Sequence, residues 1–241
     1  MVFNEDYAKF YDMLYSDKDY TSECNFLEEI FKRYSKVPVR SILDVGCGTG
    51  NHAVQLIKRG YDVVGVEPSE PMASFAVKKG IDVVLGKVLD LPNFNNKFDA
   101  VISMFTVIGY IHDTNELIDT FKWIRQHTNH LFIFDFWNGN AVLTQKPTIG
   151  KKRISDEYYR VKYPKLITND HVVRVKQTIY DNSDNIIVEE EHVVRYYFPR
   201  EIEHYLNDAG FRLIGLFPCW RLDRDIRDTD WDIVAVAEVI Q

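Results

Sequence analysis

Asp44-Val-Gly46-Cys47-Gly48-Thr-Gly50 is the densest group of chemically suggestive positions in this chain of 241 residues. Glycines at that spacing let a backbone bend sharply and approach a ligand with no Cβ in the way. The loop leads into a helical pattern from His52 to Arg59, so it ends where backbone N–H groups lack intrahelical partners. Glu67 closes the next apolar run, and an acid there can accept hydrogen bonds from both hydroxyls of a ribose. A tight turn and a helix-start carboxylate are the bland alternatives, and the pairing of the two features favours a nucleoside site.

Two cofactor classes share that layout. A dinucleotide asks for Gly-x-Gly-x-x-Gly with its pyrophosphate at the helix start. Here the glycines fall at 46, 48 and 50, and Asn51 stands where the last Gly or Ala would be. Asp44 would lie close to a pyrophosphate, whereas an acid suits the ammonium of a methionine moiety. The residues therefore favour S-adenosylmethionine (SAM), with S-adenosylhomocysteine (SAH) as product. Cys47 reads as a small loop residue, not a nucleophile.

The elements that must position these groups follow from periodicity. Apolar runs at Ser41–Val45, Tyr61–Val66, Asp82–Leu85, Phe98–Met104 and Leu131–Phe136 read as strands. Helical patterns between them at His52–Arg59, Pro71–Lys79 and Asn115–His127 give a βαβ rhythm, hence a parallel sheet covered on both faces. Pro199–Asp208 reads as a helix, and Phe211–Phe217 with Asp232–Ile240 as a closing antiparallel hairpin. The fold class is α/β: a Rossmann-like seven-stranded sheet with a final hairpin and a small antiparallel β insertion. The insertion is expected on the main sheet, because β-rich runs at Val172–Tyr180 and Ile186–Phe198 flank the turn cluster Asp181–Asn185. One domain is expected over 1–241, with a helical cap (1–36), a cofactor core (37–147), the substrate-side insertion (148–198) and a C-terminal helix and hairpin (199–241).

Bulk properties exclude several partners. Lys plus Arg number 29 against 36 Asp plus Glu, a net charge of −7, which disfavours a nucleic-acid backbone. The short basic run Lys151-Lys152-Arg153 reads as a solvated loop. Three scattered cysteines fit neither a disulfide framework nor a metal site. The acidic start, Met-Val-Phe-Asn-Glu-Asp, is unlike a signal peptide, and no apolar run approaches the ~20 residues of a membrane span. A cytoplasmic monomer or homodimer, with no metal and no membrane or nucleic-acid partner, is expected.

Ile42-Leu-Asp-Val-Gly-Cys-Gly-Thr-Gly50 resembles the first motif of class I SAM-dependent methyltransferases, and Glu67-Pro68-Ser resembles their ribose-binding acid and its neighbours. Gly86-Lys-Val-Leu-Asp-Leu-Pro92 is similar to the family's adenine-edge loop, with Lys87 where an acid is common. Adenine contacts are then expected from Val88, Leu89 or Asp90, while Met72 and Met104 belong to the expected cofactor set. A narrower resemblance is to small bacterial sugar methyltransferases, including N-methyltransferases of nucleotide-linked amino sugars. It rests on Tyr7-Ala-x-x-Tyr11-Asp-x-Leu-Tyr15, on Met104-Phe-Thr-Val-Ile-Gly-Tyr110 and on the insertion. Asp135-Phe-Trp137-Asn-Gly139 is also similar to a segment of surface-polysaccharide methyltransferases. The resemblance implies that Tyr11 closes over the methionine end of SAM. The acceptor it implies is a hydroxyl or amine of a small molecule, a nucleotide-linked sugar or surface-polysaccharide precursor. Amino-sugar enzymes tend to carry a histidine where this chain has Tyr110.

Methyl transfer from a sulfonium needs alignment and water exclusion above all, and a hydroxyl acceptor gains from a general base. Residues expected at the ligand-binding end of the strands are Tyr110, His112, Asp135 and Trp137. His112 is the candidate base because imidazole titrates near neutrality, and Tyr110 a candidate pocket wall. An exposed loop or helix-cap role is the alternative for His112, and core packing the alternative for Trp137. Tyr15, Asp135 and Trp137 are candidate acceptor contacts. His171, His192 and His204 read as surface or sheet residues.

Overall fold

The computed structural model describes residues 3–92, 94 and 97–240. Two helices come first, α1 (Glu5–Leu14) and α2 (Tyr20–Tyr34). Asn4 caps α1 by accepting the Tyr7 N–H at 2.9 Å, and Asp19 caps α2 through the Ser22 N–H at 2.9 Å. There follow β1 (Ser41–Val45), α3 (Asn51–Lys58), β2 (Asp62–Glu67), α4 (Glu70–Lys78), β3 (Asp82–Leu85), β4 (Phe98–Ser103), α5 (Thr114–His127) and β5 (Thr128–Trp137). The chain then forms α6 (Gly139–Gln145) and the strands β6 (Gly150–Arg153), β7 (Tyr158–Ile167), β8 (Val172–Asp181) and β9 (Ile186–Arg195). It ends with α7 (Pro199–Asp208), β10 (Phe211–Pro218) and β11 (Asp232–Val239).

Seven strands form one sheet in the order β10-β11-β5-β4-β1-β2-β3. Only β11 runs against its neighbours, pairing antiparallel with both β10 and β5. Consecutive strand residues bury opposite ways, which explains the unbroken apolar runs. Leu43, Val101, Phe132 and Phe134 pack toward α5 and α7, while Ile42, Ala100, Ile102 and Ile133 pack toward α2 and α3. Each fully buried side chain of this size contributes about 1.5–3 kcal/mol relative to exposure. The C-terminal ends of β1, β2, β4 and β5 therefore open on one edge, and β11, reversed, brings its first residue Asp232 there beside Trp137.

The insertion forms its own four-stranded antiparallel sheet, β6-β7-β8-β9, instead of adding strands to the main one. The main sheet has no free edge next to it, since β5 is already paired on both sides. The run Lys151–Arg153, expected as a loop, is β6. Cross-strand partners share a face, so Lys162, Gln177 and Glu190 stand together, with Arg160, Ile179 and Val188 in the next row. Tyr7 and Leu14 of α1 pack on that face against Ile179 and Val188, and α1 thereby roofs the ligand edge. Among the described residues no helix is long and apolar enough to cross a membrane.

Candidate active site

A cavity of about 990 Å³ lies between the ligand edge of the main sheet and the inner face of the second sheet. That is the upper end of the range for small-molecule sites, with room for two ligands side by side. Its floor is the glycine loop. Gly46 (φ +74°) has no space for a side chain, because a Cβ would fall 2.4 Å from Val107 Cγ1. At Gly48 (φ +57°) a Cβ would meet only the Met72 methyl at 3.5 Å, so bare backbone faces the cavity there. Gly50 serves packing: a Cβ would fall 2.0 Å from Ile81 Cδ1. It lets α3 close on α4 and does not reach the cavity wall.

Glu67 ends β2 with its carboxylate buried. One oxygen accepts the Gly48 N–H at 2.9 Å and the other the Ser69 N–H at 2.8 Å. Each oxygen keeps a second lone pair, and the residue lines the cavity. Burial pushes this carboxyl up to about 7, against the pull of those two donors. Two remaining acceptor positions beside bare glycine backbone fit the ribose hydroxyls of SAM. Asp44 sits behind the wall with Oδ2 bonded to nothing, its carboxyl raised to about 6 by burial and drawn back by His52. Asp44, expected to meet a methionine ammonium, is on β1 and is not among the residues that line the cavity. Cys47 fills the space above Gly65, and burial raises its thiol beyond any nucleophilic range.

Of the remaining expected cofactor residues, Tyr11, Pro68, Met72, Asp90 and Met104 line the cavity. Val88 and Leu89 do not; Leu89 turns to solvent, and Gly86, Lys87 and Asp90 make the wall there. The short turn at Val88–Asp90 points those two side chains away from the site.

The loop after β4 holds two non-glycine residues in the left-handed region, Phe105 (φ 75°) and Thr106 (φ 61°). Asp135 holds them there. Its carboxylate accepts the Phe105 N–H, the Thr106 N–H at 2.9 Å and the Thr106 hydroxyl at 3.2 Å. Asp135, expected to meet the acceptor, lies buried under this loop, and all its contacts are structural. The loop delivers Tyr110 and His112 to the cavity. His112 Nε2 donates to the Val193 carbonyl at 2.8 Å, which leaves Nδ1 as the basic nitrogen of the neutral ring. Asp113, not His112, caps α5. Tyr15 and Trp137 line the cavity, and Trp137 packs edge-on against Trp231 at 6.0 Å.

His192 also lines the cavity. It is a strand residue, as expected, but buried at 2% exposure, with Nδ1 at 3.0 Å from the Tyr110 hydroxyl. Burial, with the Lys162 charge, lowers it to about 4, so it is neutral at physiological pH and holds Tyr110 through that bond. The overlooked signal was the alternation Val188-x-Glu190-x-His192-x-Val194, which puts charged groups on an inward face. His171 stacks on Tyr196 at 5.4 Å, and His204 is exposed on α7. Asp12 was also missed. From α1 it accepts the Thr49 hydroxyl at 2.6 Å and the Asn51 amide at 3.0 Å, and pairs with Lys79 at 2.7 Å. Only its place between Tyr11 and Tyr15 hinted at this latch.

Residues 42–129 match the family described as a methyltransferase domain. A Streptomyces venezuelae protein named dTDP-3-amino-3,4,6-trideoxy-alpha-D-glucopyranose N,N-dimethyltransferase is 37% identical over 121 residues, 48% of this chain and 50% of that one. A Streptomyces fradiae protein named dTDP-3-amino-3,6-dideoxy-alpha-D-glucopyranose N,N-dimethyltransferase is 35% identical over 114 residues, 46% of this chain and 44% of that one. The chain thus spans about half the length of these two relatives. In fold it is similar to a SAM-dependent methyltransferase from Clostridium acetobutylicum, with a TM-score of 0.82, 21% identity and 96% of each chain covered. Residues 42–129 therefore match a methyltransferase domain, in a chain whose fold is similar to that of SAM-dependent methyltransferases and whose sequence is similar to that of sugar methyltransferases.

Proposed function

We propose that the whole chain acts as one enzyme that methylates a hydroxyl or amine of a small molecule, a nucleotide-linked sugar or surface-polysaccharide precursor. The observation that carries this reading is the shape of the cavity. It runs without a break from the glycine loop to the second sheet, with Tyr110, His112 and Trp137 between. The names of the two Streptomyces relatives, both dTDP-amino-sugar N,N-dimethyltransferases, support a sugar acceptor. The reading assigns residues 1–36 to a cap, 37–147 to cofactor binding, 148–198 to the acceptor side and 199–241 to closing the sheet. It places the reaction in the cytoplasm of the producing cell, with the enzyme a monomer or homodimer.

When bound, SAM supplies a methyl group on a sulfonium whose charge vanishes as the C–S bond breaks. The chain's own residues align the acceptor and take its proton. Tyr110, held by neutral His192, fixes one edge of the acceptor. His112 offers the Nδ1 lone pair to the acceptor's O–H or N–H proton. With SAM bound, the acceptor's lone pair would take the methyl group, leaving SAH, and His112 would hold the released proton at Nδ1. Trp137 and Tyr15 supply flat apolar faces that suit a sugar ring and exclude water.

The test is turnover with methyl-labelled SAM and a panel of nucleotide-linked amino and hydroxy sugars, followed by mass spectrometry. One acceptor gaining a methyl group as SAH accumulates is the expected result. SAH binding with no sugar methylated would overturn the reading in favour of another metabolite or a non-catalytic SAM binder.

A further inference from the structure

Lys162 and Asp232 both line the cavity, from opposite sides. Lys162 stands on the inner face of the second sheet, and Asp232 opens β11 on the ligand edge of the main sheet. Asp232 pairs directly across from Trp137, so carboxylate and indole leave the same side of the sheet, with Cβ atoms about 5 Å apart. Trp137 lines the cavity too, braced edge-on by Trp231 at 6.0 Å.

Among the described residues, neither charged group makes a side-chain hydrogen bond or an ion pair; only burial and neighbouring charges act on them. Asp232 feels Asp135, Lys18, Glu23 and Lys162. The first three are engaged elsewhere, Asp135 by the Phe105–Thr106 loop and Lys18 and Glu23 by each other. Lys162 feels Arg160, Lys152 and Asp232, and Lys152 is held by Asp17 and the Leu14 carbonyl. Burial raises the Asp232 carboxyl to about 7 and lowers the Lys162 ammonium to about 8, as befits two groups that have lost water and gained no partner. Other cavity acids differ. Glu67 accepts two backbone N–H groups, and Glu191 pairs with Arg174 at 3.6 Å.

An acid and a base that face one cavity without touching select what fits between them. An ammonium would suit Asp232 and be repelled by Lys162, and an oxyanion would suit Lys162 and be repelled by Asp232. A hydroxyl answers both, donating to the carboxylate and accepting from the ammonium. The indole of Trp137 alongside offers an apolar face to the C–H side of a sugar ring.

We propose that Asp232 and Lys162 grip one non-reacting hydroxyl of the acceptor, with the ring that carries it laid on Trp137. This rests on the methyltransferase reading above and makes the pair a determinant of its specificity. The acceptor so selected carries a free ring hydroxyl at this end of the cavity, besides the group that is methylated.

Steady-state methylation of the nucleotide-linked amino and hydroxy sugars tests this, extended for the best of them to analogues that each lack one ring hydroxyl. In wild type one analogue should lose at least tenfold in kcat/KM, since a site built around a hydroxyl rejects the molecule without it. Asp232→Asn and Lys162→Met should each raise KM for the parent sugar at least tenfold, leave SAH affinity unchanged, and shrink the penalty for that same analogue. Neither variant should melt lower than wild type, because each loses a buried charge that has no partner. A parent KM unchanged in either variant, no penalised analogue in wild type, or a penalty as large in the variants overturns the grip and leaves the methyltransferase reading standing. A wild type that methylates no sugar overturns both.

Discussion

Asp135 accepts the backbone N–H of Thr106 at 2.9 Å, from a loop in which Phe105 and Thr106 both adopt positive φ. Single left-handed non-glycine residues cost about 1–3 kcal/mol each and persist only where the surroundings hold them. Asp135→Asn keeps the shape and replaces one accepting oxygen by a donor facing other donors. A stability loss of about 1–3 kcal/mol in urea unfolding is expected, with a larger loss of turnover than of SAH affinity. Unfolding at the wild-type urea concentration would show that the loop holds itself.

Glu67 predicts a pH dependence of cofactor binding. Its carboxyl is raised to about 7, mainly by burial, and ribose hydroxyls bound there would donate to its charged form. SAH affinity should therefore fall as pH drops from 8 through 7 toward 5.5. Glu67→Gln should bind weakly at every pH in that window. A wild-type affinity that is flat across the window would remove Glu67 from ribose binding.

Asp12 joins the roof to the floor of the site. Asp12→Ala leaves the Thr49 hydroxyl, the Asn51 amide and Lys79 without their shared acceptor. Cofactor affinity is expected to drop roughly tenfold, equivalent to about 1.4 kcal/mol, with faster dissociation. Stopped-flow release of SAH reads this directly, and an unchanged off-rate would detach α1 from cofactor retention.

His192 should make the protein acid-sensitive in a defined window. The folded pKa, lowered to about 4 by burial, lies below the unfolded value near 6.5. The unfolded chain then binds more protons between those values, so stability from this residue is intact above pH 6.5 and is lost as pH falls toward 4. The full span is at most about 3 kcal/mol. His192→Gln should flatten the wild-type decline in melting temperature over that range, and two parallel curves would contradict it.

The main sheet was legible because its signals are local. Runs such as Ile42–Val45 and Leu131–Phe136 are apolar on both faces, and glycine spacing with Glu67 marks the ligand edge. The second sheet was half visible. β8 and β9 flank a turn cluster, but β6 falls on the run Lys151–Arg153, which reads as a solvated loop until Lys152 is seen to bond the Leu14 carbonyl of α1. Asp135 and His192 exchanged roles for the same reason. Whether a polar residue faces a cavity or a loop depends on which element packs over it, and that is a long-range fact. His192 meets Tyr110 across 82 positions of chain, and Asp135 meets Thr106 across 29.

The central claim is that the Gly46–Gly50 loop and Glu67 together hold the SAM nucleoside. Calorimetric titration of SAH into wild type and Glu67→Ala measures it most directly. One site per chain is predicted for wild type, with affinity lost roughly a hundredfold or more in the variant, as two charge-assisted hydrogen bonds would give. Equal affinity in the two proteins, or no heat in either, would contradict it.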